Sequence, residues 1–255
     1  MKVEIINKDE CKELFMYWGL AAAKCYDTPK KFATRVGKSC LSTGHYSGSR
    51  GRFIMFDITG VPRALVDQLV RHEIGVFKNV ESGRYVNFEE FEYYTPAIID
   101  SDEKLSRLYH NHMKETRKTY KAIVERMNEL GYKGEKCYEV ARGIMCMNYN
   151  TGLVIGFTVE ALINFMHKRL CVCAQDHIRK LAILMKKETL EVLPELESYL
   201  VAVCDAYQYC PERCIPYERK NAPVHAGALL KKSHKHHTSH YDQCVLKKPW
   251  APNSS

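Results

Sequence analysis

Apolar and polar positions alternate over Lys2 to Ile6, which predicts a short first strand. From Glu13 to Tyr26 the apolar residues recur at helical spacing, and a helix is expected there. Ser39 to Gly51 carries Gly44, Gly48 and Gly51 among several serines and reads as a loop. Phe53 to Ile58 is a second strand, ended by Gly60 and Pro62. Pro62 opens a helix over Arg63 to His72, because its missing amide is not needed in a first turn. Glu81 to Tyr94 is aromatic and extended in character. A long helix follows, capped by Ser101 or Asp102 and running through Leu105, Leu108, Ile123, Met127 and Leu130 to a stop at Gly131. Glu135 to Cys146, Thr158 to Arg169 and Ala174 to about Glu188 are further helical stretches, the last with Ile178, Leu181, Ala182 and Met185 on one face. After Cys204 the period is lost, and the composition of Ala206 to Ser255 predicts disorder at its end. We therefore expect an α+β fold: a central, mostly antiparallel sheet with packed helices, a helical second half and a basic C-terminal tail. Residues 1–203 form the expected domain and 204–255 the tail.

Composition narrows the class. A 255-residue chain with 45% hydrophobic and 27% charged residues can bury one sizeable core. It contains no apolar run of membrane-spanning length. The start, MKVEIINKDECKELF, has acidic residues where an export signal needs a basic end and an apolar stretch, so a cytoplasmic protein is expected. The 11 cysteines are scattered and are expected as reduced thiols. Net charge is +8, but from Pro211 onward eight Lys/Arg stand against three Asp/Glu, leaving +5 in the tail and +3 in the remainder. That distribution argues against a nucleic-acid-binding body and for an enzyme that handles anions.

Gln68, Arg71, His72, Ser82, Gly83 and Arg84 carry the candidate chemistry. Two planar guanidinium forks with a hydroxyl and a glycine between them suit a phosphate: Arg donates in pairs, Ser adds a donor, and Gly lets a backbone amide approach. A surface Arg pair flanking a turn is the plain alternative. Arg142 and Arg169, each among apolar neighbours, extend the set, either as ligands of a polyanion or as partners of core carboxylates. A nucleotide is the natural ligand, although no P-loop or Gly-x-Gly-x-x-Gly is present.

Arg71-His72 followed by Asn79, Ser82, Arg84 and Tyr85 resembles the signature of the flavin-dependent thymidylate synthases. Gly44-His45 and Ser47 before the Phe53 strand, Val140-Ala141-Arg142, Asn164-Phe165, Arg169, and Ala174-Gln175 through Ile178-Arg179 match further family positions in order, across residues 11–200. The resemblance implies a homotetramer with active sites at subunit junctions. It also implies FAD as cofactor, dUMP as substrate, and methylenetetrahydrofolate and NADPH as co-substrates, with no cysteine attacking the uracil. By position, Gln68, Arg71, Ser82, Gly83, Arg84, Arg142 and Arg169 would surround dUMP, with Arg169 and Ser82 the catalytic candidates. His45, Ser47, Arg71, His72 and Asn164 would meet FAD.

The chain departs from the family pattern in several places. Glu73 stands for an Arg, and one residue is added before Ser82. Val80 and Glu81 stand where a Glu precedes that serine. Glu160 replaces an Arg, Thr158 an Asn and Cys173 a His, and Ser47-Gly48-Ser49-Arg50 replaces Thr-Pro-Phe-Glu. We hypothesise that Arg50 compensates Glu73 or Glu160, which a double-mutant cycle tests. These changes leave two alternatives open: a relative that modifies another pyrimidine nucleotide, for example by hydroxymethylation, and a nucleotide- or RNA-binding protein without flavin chemistry. In the tail, Cys204, Cys210 and Cys214 are possible zinc ligands at unusual spacing, the other reading being incidental thiols.

Overall fold

The computed structural model describes residues 1–25 and 27–207. In chain order, the first half holds β1 (Lys2–Ile5), α1 (Lys8–Lys12), α2 (Leu14–Cys25), α3 (Ala33–Ser42), β2 (Ile54–Pro62), α4 (Arg63–Leu69) and β3 (Val76–Val80). The second half holds α5 (Ala97–Asp100), α6 (Glu103–Glu129), α7 (Glu135–Ala141), β4 (Asn150–Phe157), α8 (Val159–Arg169), α9 (Asp176–Val192) and α10 (Val203–Tyr207). Short 3-10 turns lie at Lys30–Phe32, Tyr46–Gly51, Arg142–Ile144 and Pro194–Leu196. The strands form one antiparallel sheet in the order β1-β2-β4-β3, so the α+β class expected from the sequence is the one observed. Among the described residues no helix is long and apolar enough to cross a membrane.

By backbone contacts the chain divides into two compact units. One comprises residues 1–2, 57–71 and 78–155, and the other residues 3–56, 72–77 and 156 onward. The first is built on α6. Asp102, not Ser101, caps that helix, accepting a hydrogen bond from the Leu105 amide at 2.8 Å. Its buried stripe is Met113, Thr116, Tyr120 and Val124, one residue per turn or two, while Leu105 and Leu108 are exposed. The stripe packs with Phe88, Phe91, Cys137 and Ala141. The Tyr120 hydroxyl satisfies the buried Phe88 amide at 3.2 Å.

In the second unit α8 is the buried element, with Val159, Ala161, Leu162, Ile163, Phe165 and Met166 inside. Phe157 touches Phe56 and Phe165 edge-on or tilted, with ring centroids 6.3 and 5.2 Å away. Helix α9 contributes the face read from sequence: Ile178, Leu181, Ala182 and Met185 are all buried.

Several expectations are corrected. Strand β4 was not anticipated, because it lies in the half read as helical. Its Thr151, Leu153, Ile155 and Phe157 nonetheless alternate into the core with the period of two that marks a strand. Ser39 to Gly51 is not a loop: α3 runs to Ser42 and Tyr46–Gly51 is a 3-10 turn. The Arg63 helix stops at Leu69, so Arg71 stands in a turn rather than at a helix end. Glu135 to Cys146 breaks after Ala141 into a 3-10 turn. Glu81 to Tyr94 is not a strand, because Ser82 and Asn87 side chains capture the Arg84 and Glu89 amides and bend the backbone into turns. It remains tied to β4 at both ends, where the Glu81 amide donates to the Gly152 carbonyl at 2.9 Å and the Asn150 amide donates to the Glu92 carbonyl at 2.7 Å, next to an isolated Tyr93–Tyr149 bridge.

Candidate active site

In the first unit Ser82, Gly83, Arg84 and Arg142 meet at one turn. The Tyr85 and Val86 amides donate to the Ser82 carbonyl at 3.0 and 3.1 Å, and the Arg84 amide donates to Ser82 Oγ at 3.3 Å. Gly83 is buried at the centre. A β-carbon there would stand 3.2 Å from the Phe88 ring, tighter than ordinary contact, and 3.5 Å from Arg142 Cδ, so glycine lets the turn pack closely on Phe88 beside the Arg142 side chain. Ser82, Gly83 and Arg142, apart in sequence, are therefore neighbours.

Glu81 fastens this turn. Its Oε2 accepts hydrogen bonds from the Thr151 hydroxyl at 3.1 Å and the Gly152 amide at 3.0 Å. The sequence flagged Glu81 only as a displaced acidic neighbour of Ser82. Its anchoring role had no sequence signal, since both partners lie in the unanticipated β4.

Arg142 is exposed at the end of α7, not enclosed by apolar residues, so a core carboxylate is not needed to explain it. Arg84 has acidic partners. Glu139 of α7 approaches its Nε at 3.0 Å and Glu135 its Nη2 at 3.5 Å. The Nε contact is ionic rather than directional, because that nitrogen makes no hydrogen bond of acceptable geometry. With all three side chains about 40% exposed, such pairs contribute only about 0–1 kcal/mol and yield readily to a phosphate. Gln68, on α4, is half-buried, and Arg71 is exposed. Beside the turn lies a 350 Å³ cavity whose lining includes Glu81, Glu90, Glu92, Phe88 and Asn150. Its carboxylates disfavour a phosphate there.

The residues expected at the flavin, Arg71 excepted, fall in the second unit together with Arg169. Arg169 closes α8, and its Nε and Nη2 both reach His72 Nε2, at 3.2 and 3.1 Å. Donation from both nitrogens requires the lone pair on Nε2, hence a neutral imidazole protonated at Nδ1. The Phe165 ring stands edge-on to His72 at 5.1 Å. His72 therefore positions Arg169, a contact that the sequence reading did not contain.

The remaining set occupies the surface where the Tyr46–Gly51 turn packs against α8. His45, Ser47 and Asn164 are exposed there, and the His45 carbonyl is held by Trp18 Nε1 at 3.1 Å. Arg50 pairs with Glu160 through Nε at 2.8 Å and Nη2 at 3.3 Å, and this contact raises the Arg50 pKa further above its ordinary value. Of the two glutamates named in that hypothesis, Glu160 is the one that Arg50 contacts. The exposed hydroxyl, amide and guanidinium donors of this surface are of the kind that FAD oxygens accept from.

Among the described residues no group of three or more His, Cys, Asp or Glu is arranged to hold a metal ion. The Cys204 side chain, Cys210, Cys214 and the rest of the expected tail lie outside the described residues.

Residues 13–195 match the family described as thymidylate synthase complementing protein. A flavin-dependent thymidylate synthase of Nitratidesulfovibrio vulgaris is 34% identical over 174 residues, covering 68% of this chain and 71% of the relative. One from Clostridium tetani is 32% identical over 180 residues, covering 68% and 72%. The Pyrococcus furiosus protein of that name is 28% identical over 213 residues, covering 78% and 82%. The candidate nucleotide and flavin residues, Gln68 to Arg169 and His45 to Asn164, fall inside the matched segment, and the chain belongs to the thymidylate synthase complementing protein family.

Proposed function

We propose that this chain is a flavin-dependent thymidylate synthase. It converts dUMP to dTMP by reductive methylation, with methylenetetrahydrofolate as carbon donor and NADPH as reductant. The observation that carries this reading is the match to the family across residues 13–195, which spans both sets of candidate residues. FAD, once reduced by NADPH, would supply the hydride, so none of the chain's cysteines is required as a nucleophile.

The chain's own residues bind and polarise. Ser82, the Gly83 amide, Arg84 and Arg142, with Gln68 and Arg71, take the nucleotide. Arg84 exchanges its weak pairs with Glu135 and Glu139 for the phosphate. Arg169 faces a uracil carbonyl, where a fixed guanidinium stabilises negative charge as it develops on the ring. His72 keeps that guanidinium oriented before substrate arrives, which removes reorganisation from the reacting step. His45, Ser47, Arg71, His72 and Asn164 hold FAD, and the active form is a cytoplasmic homotetramer.

The test uses the purified full-length chain. FAD is added and the visible flavin spectrum of the protein fraction is recorded. Then dUMP, methylenetetrahydrofolate and NADPH are supplied and the nucleotide product is weighed by mass spectrometry. A bound flavin spectrum and a product of dTMP mass are expected. No bound flavin even with dUMP present, or a hydroxymethylated product, overturns the proposal.

A further inference from the structure

Resting on the flavin-enzyme reading, one residue outside the candidate set can be assigned a place at the cofactor. Ser47 and Arg50 are three positions apart in the Tyr46–Gly51 3-10 turn, where i and i+3 side chains eclipse and share a face. Glu160 and Asn164 are four apart on α8 and likewise share a face. The Arg50–Glu160 contact joins these faces into one surface. That surface is open: Arg50 is 63% exposed and Glu160 32%.

The geometry of the clasp decides what Arg50 can still do. Glu160 occupies the Nε/Nη2 edge of the guanidinium. A guanidinium carries five N–H donors, so the Nη1/Nη2 edge keeps donors for a second anion. A carboxylate on one edge also fixes the plane and direction of the other, as a long free side chain could not. The forked edge matches two oxygens of a phosphate. Ser47 and Asn164 add a hydroxyl and an amide to the same surface.

We propose that Arg50 is a cofactor-binding residue that presents its free guanidinium edge to the diphosphate of FAD, with Glu160 holding it in position. The carboxylate thus serves as a brace for the cation rather than as a repulsive charge at the cofactor. Ser47 and Asn164 donate to the same cofactor from either side of the clasp.

FAD affinity of the full-length protein, measured by quenching of flavin fluorescence at low ionic strength, tests this directly. Arg50→Gln should weaken FAD binding about tenfold or more, since a charge-assisted forked pair is lost. Arg50→Lys should also weaken it, because an ammonium keeps the charge but not the fork. Arg52→Gln, which removes the same charge from a side chain stacked on Tyr17 at 3.8 Å, should leave FAD affinity unchanged. Thermal unfolding of each variant checks that the fold is intact. The inference is overturned if Arg50→Gln binds FAD within twofold of the parent protein, or if Arg52→Gln weakens binding equally. Failure of the unmodified protein to bind FAD would instead defeat the flavin-enzyme reading, and this inference with it.

Discussion

Gly75 lies in the segment between His72 and the start of β3, and its replacement by alanine probes how that segment supports α8. Its φ is +70°, in the left-handed region where an L side chain costs about 1–2 kcal/mol. A β-carbon there would also stand 2.6 Å from Thr158 Oγ1 and 3.1 Å from Ala161 Cβ. Thr158 is the N-cap of α8: its hydroxyl accepts from the Ala161 amide at 3.3 Å, and its own amide donates to the Gly75 carbonyl at 2.9 Å. Expelling that hydroxyl sacrifices a cap, a further loss of about 1 kcal/mol. Gly75→Ala should therefore destabilise the protein by about 2–3 kcal/mol, lowering the urea midpoint by about 1 M. Thr158→Ala alone should lose about 1 kcal/mol. The double variant should be less destabilised than the sum of the two, because without the hydroxyl the closest clash is gone, leaving only the 3.1 Å approach to Ala161 Cβ, and the cap cannot be lost twice. Urea unfolding followed by far-ultraviolet circular dichroism measures all three. Strict additivity, or a Gly75→Ala loss under about 0.5 kcal/mol, would refute the argument that this glycine exists to admit the cap.

Glu81→Ala removes the acceptor for the Thr151 hydroxyl and the Gly152 amide, and should lower stability by about 1–3 kcal/mol while weakening dUMP binding through a loosened Ser82–Arg84 turn. Calorimetric dUMP titration showing unchanged affinity would separate the turn from the nucleotide. A stability cycle on Arg50 and Glu160 should show favourable coupling that shrinks as salt is raised, and absence of coupling at low salt would remove the compensation argument. The Cys11 thiol is pushed from 9.0 up to about 11, chiefly by burial and then by the nearby Glu10 charge. Because the unfolded thiol ionises first, the contribution is intact below pH 9 and is lost at about 1.4 kcal/mol per pH unit as pH rises from there toward 11. Replacing Cys11 by Val should flatten that part of the stability–pH curve. An unchanged slope would show that the thiol stays neutral on unfolding.

What could be read in advance follows from how local each signal is. Helix α6 was legible because Asp102 and Gly131 punctuate it, but hydrophobicity alone does not give its inward face: Leu105 and Leu108 are exposed, while Thr116 is buried. The strand Asn150–Phe157 carried a period-two pattern but was overshadowed by helical neighbours. Glu81 to Tyr94 was read as extended in character because its aromatic residues suit a strand. Only the placement of Phe88 and Phe91 in the α6 core shows why the chain must bend there.

By itself the sequence determined the family, the α+β class and the residue types available for anion binding, since each depends on order and spacing along the chain. Tertiary structure decided what each of those residues is free to do. It gave Arg84 two displaceable carboxylates, set Gly83 against Arg142, placed Arg169 on the lone pair of His72, and closed Arg50 onto Glu160. Those partners lie 51 to 110 positions apart in the chain. Hydrogen bonds and ion pairs act over about 3 Å, and at such separations only the folded backbone brings the groups within that reach.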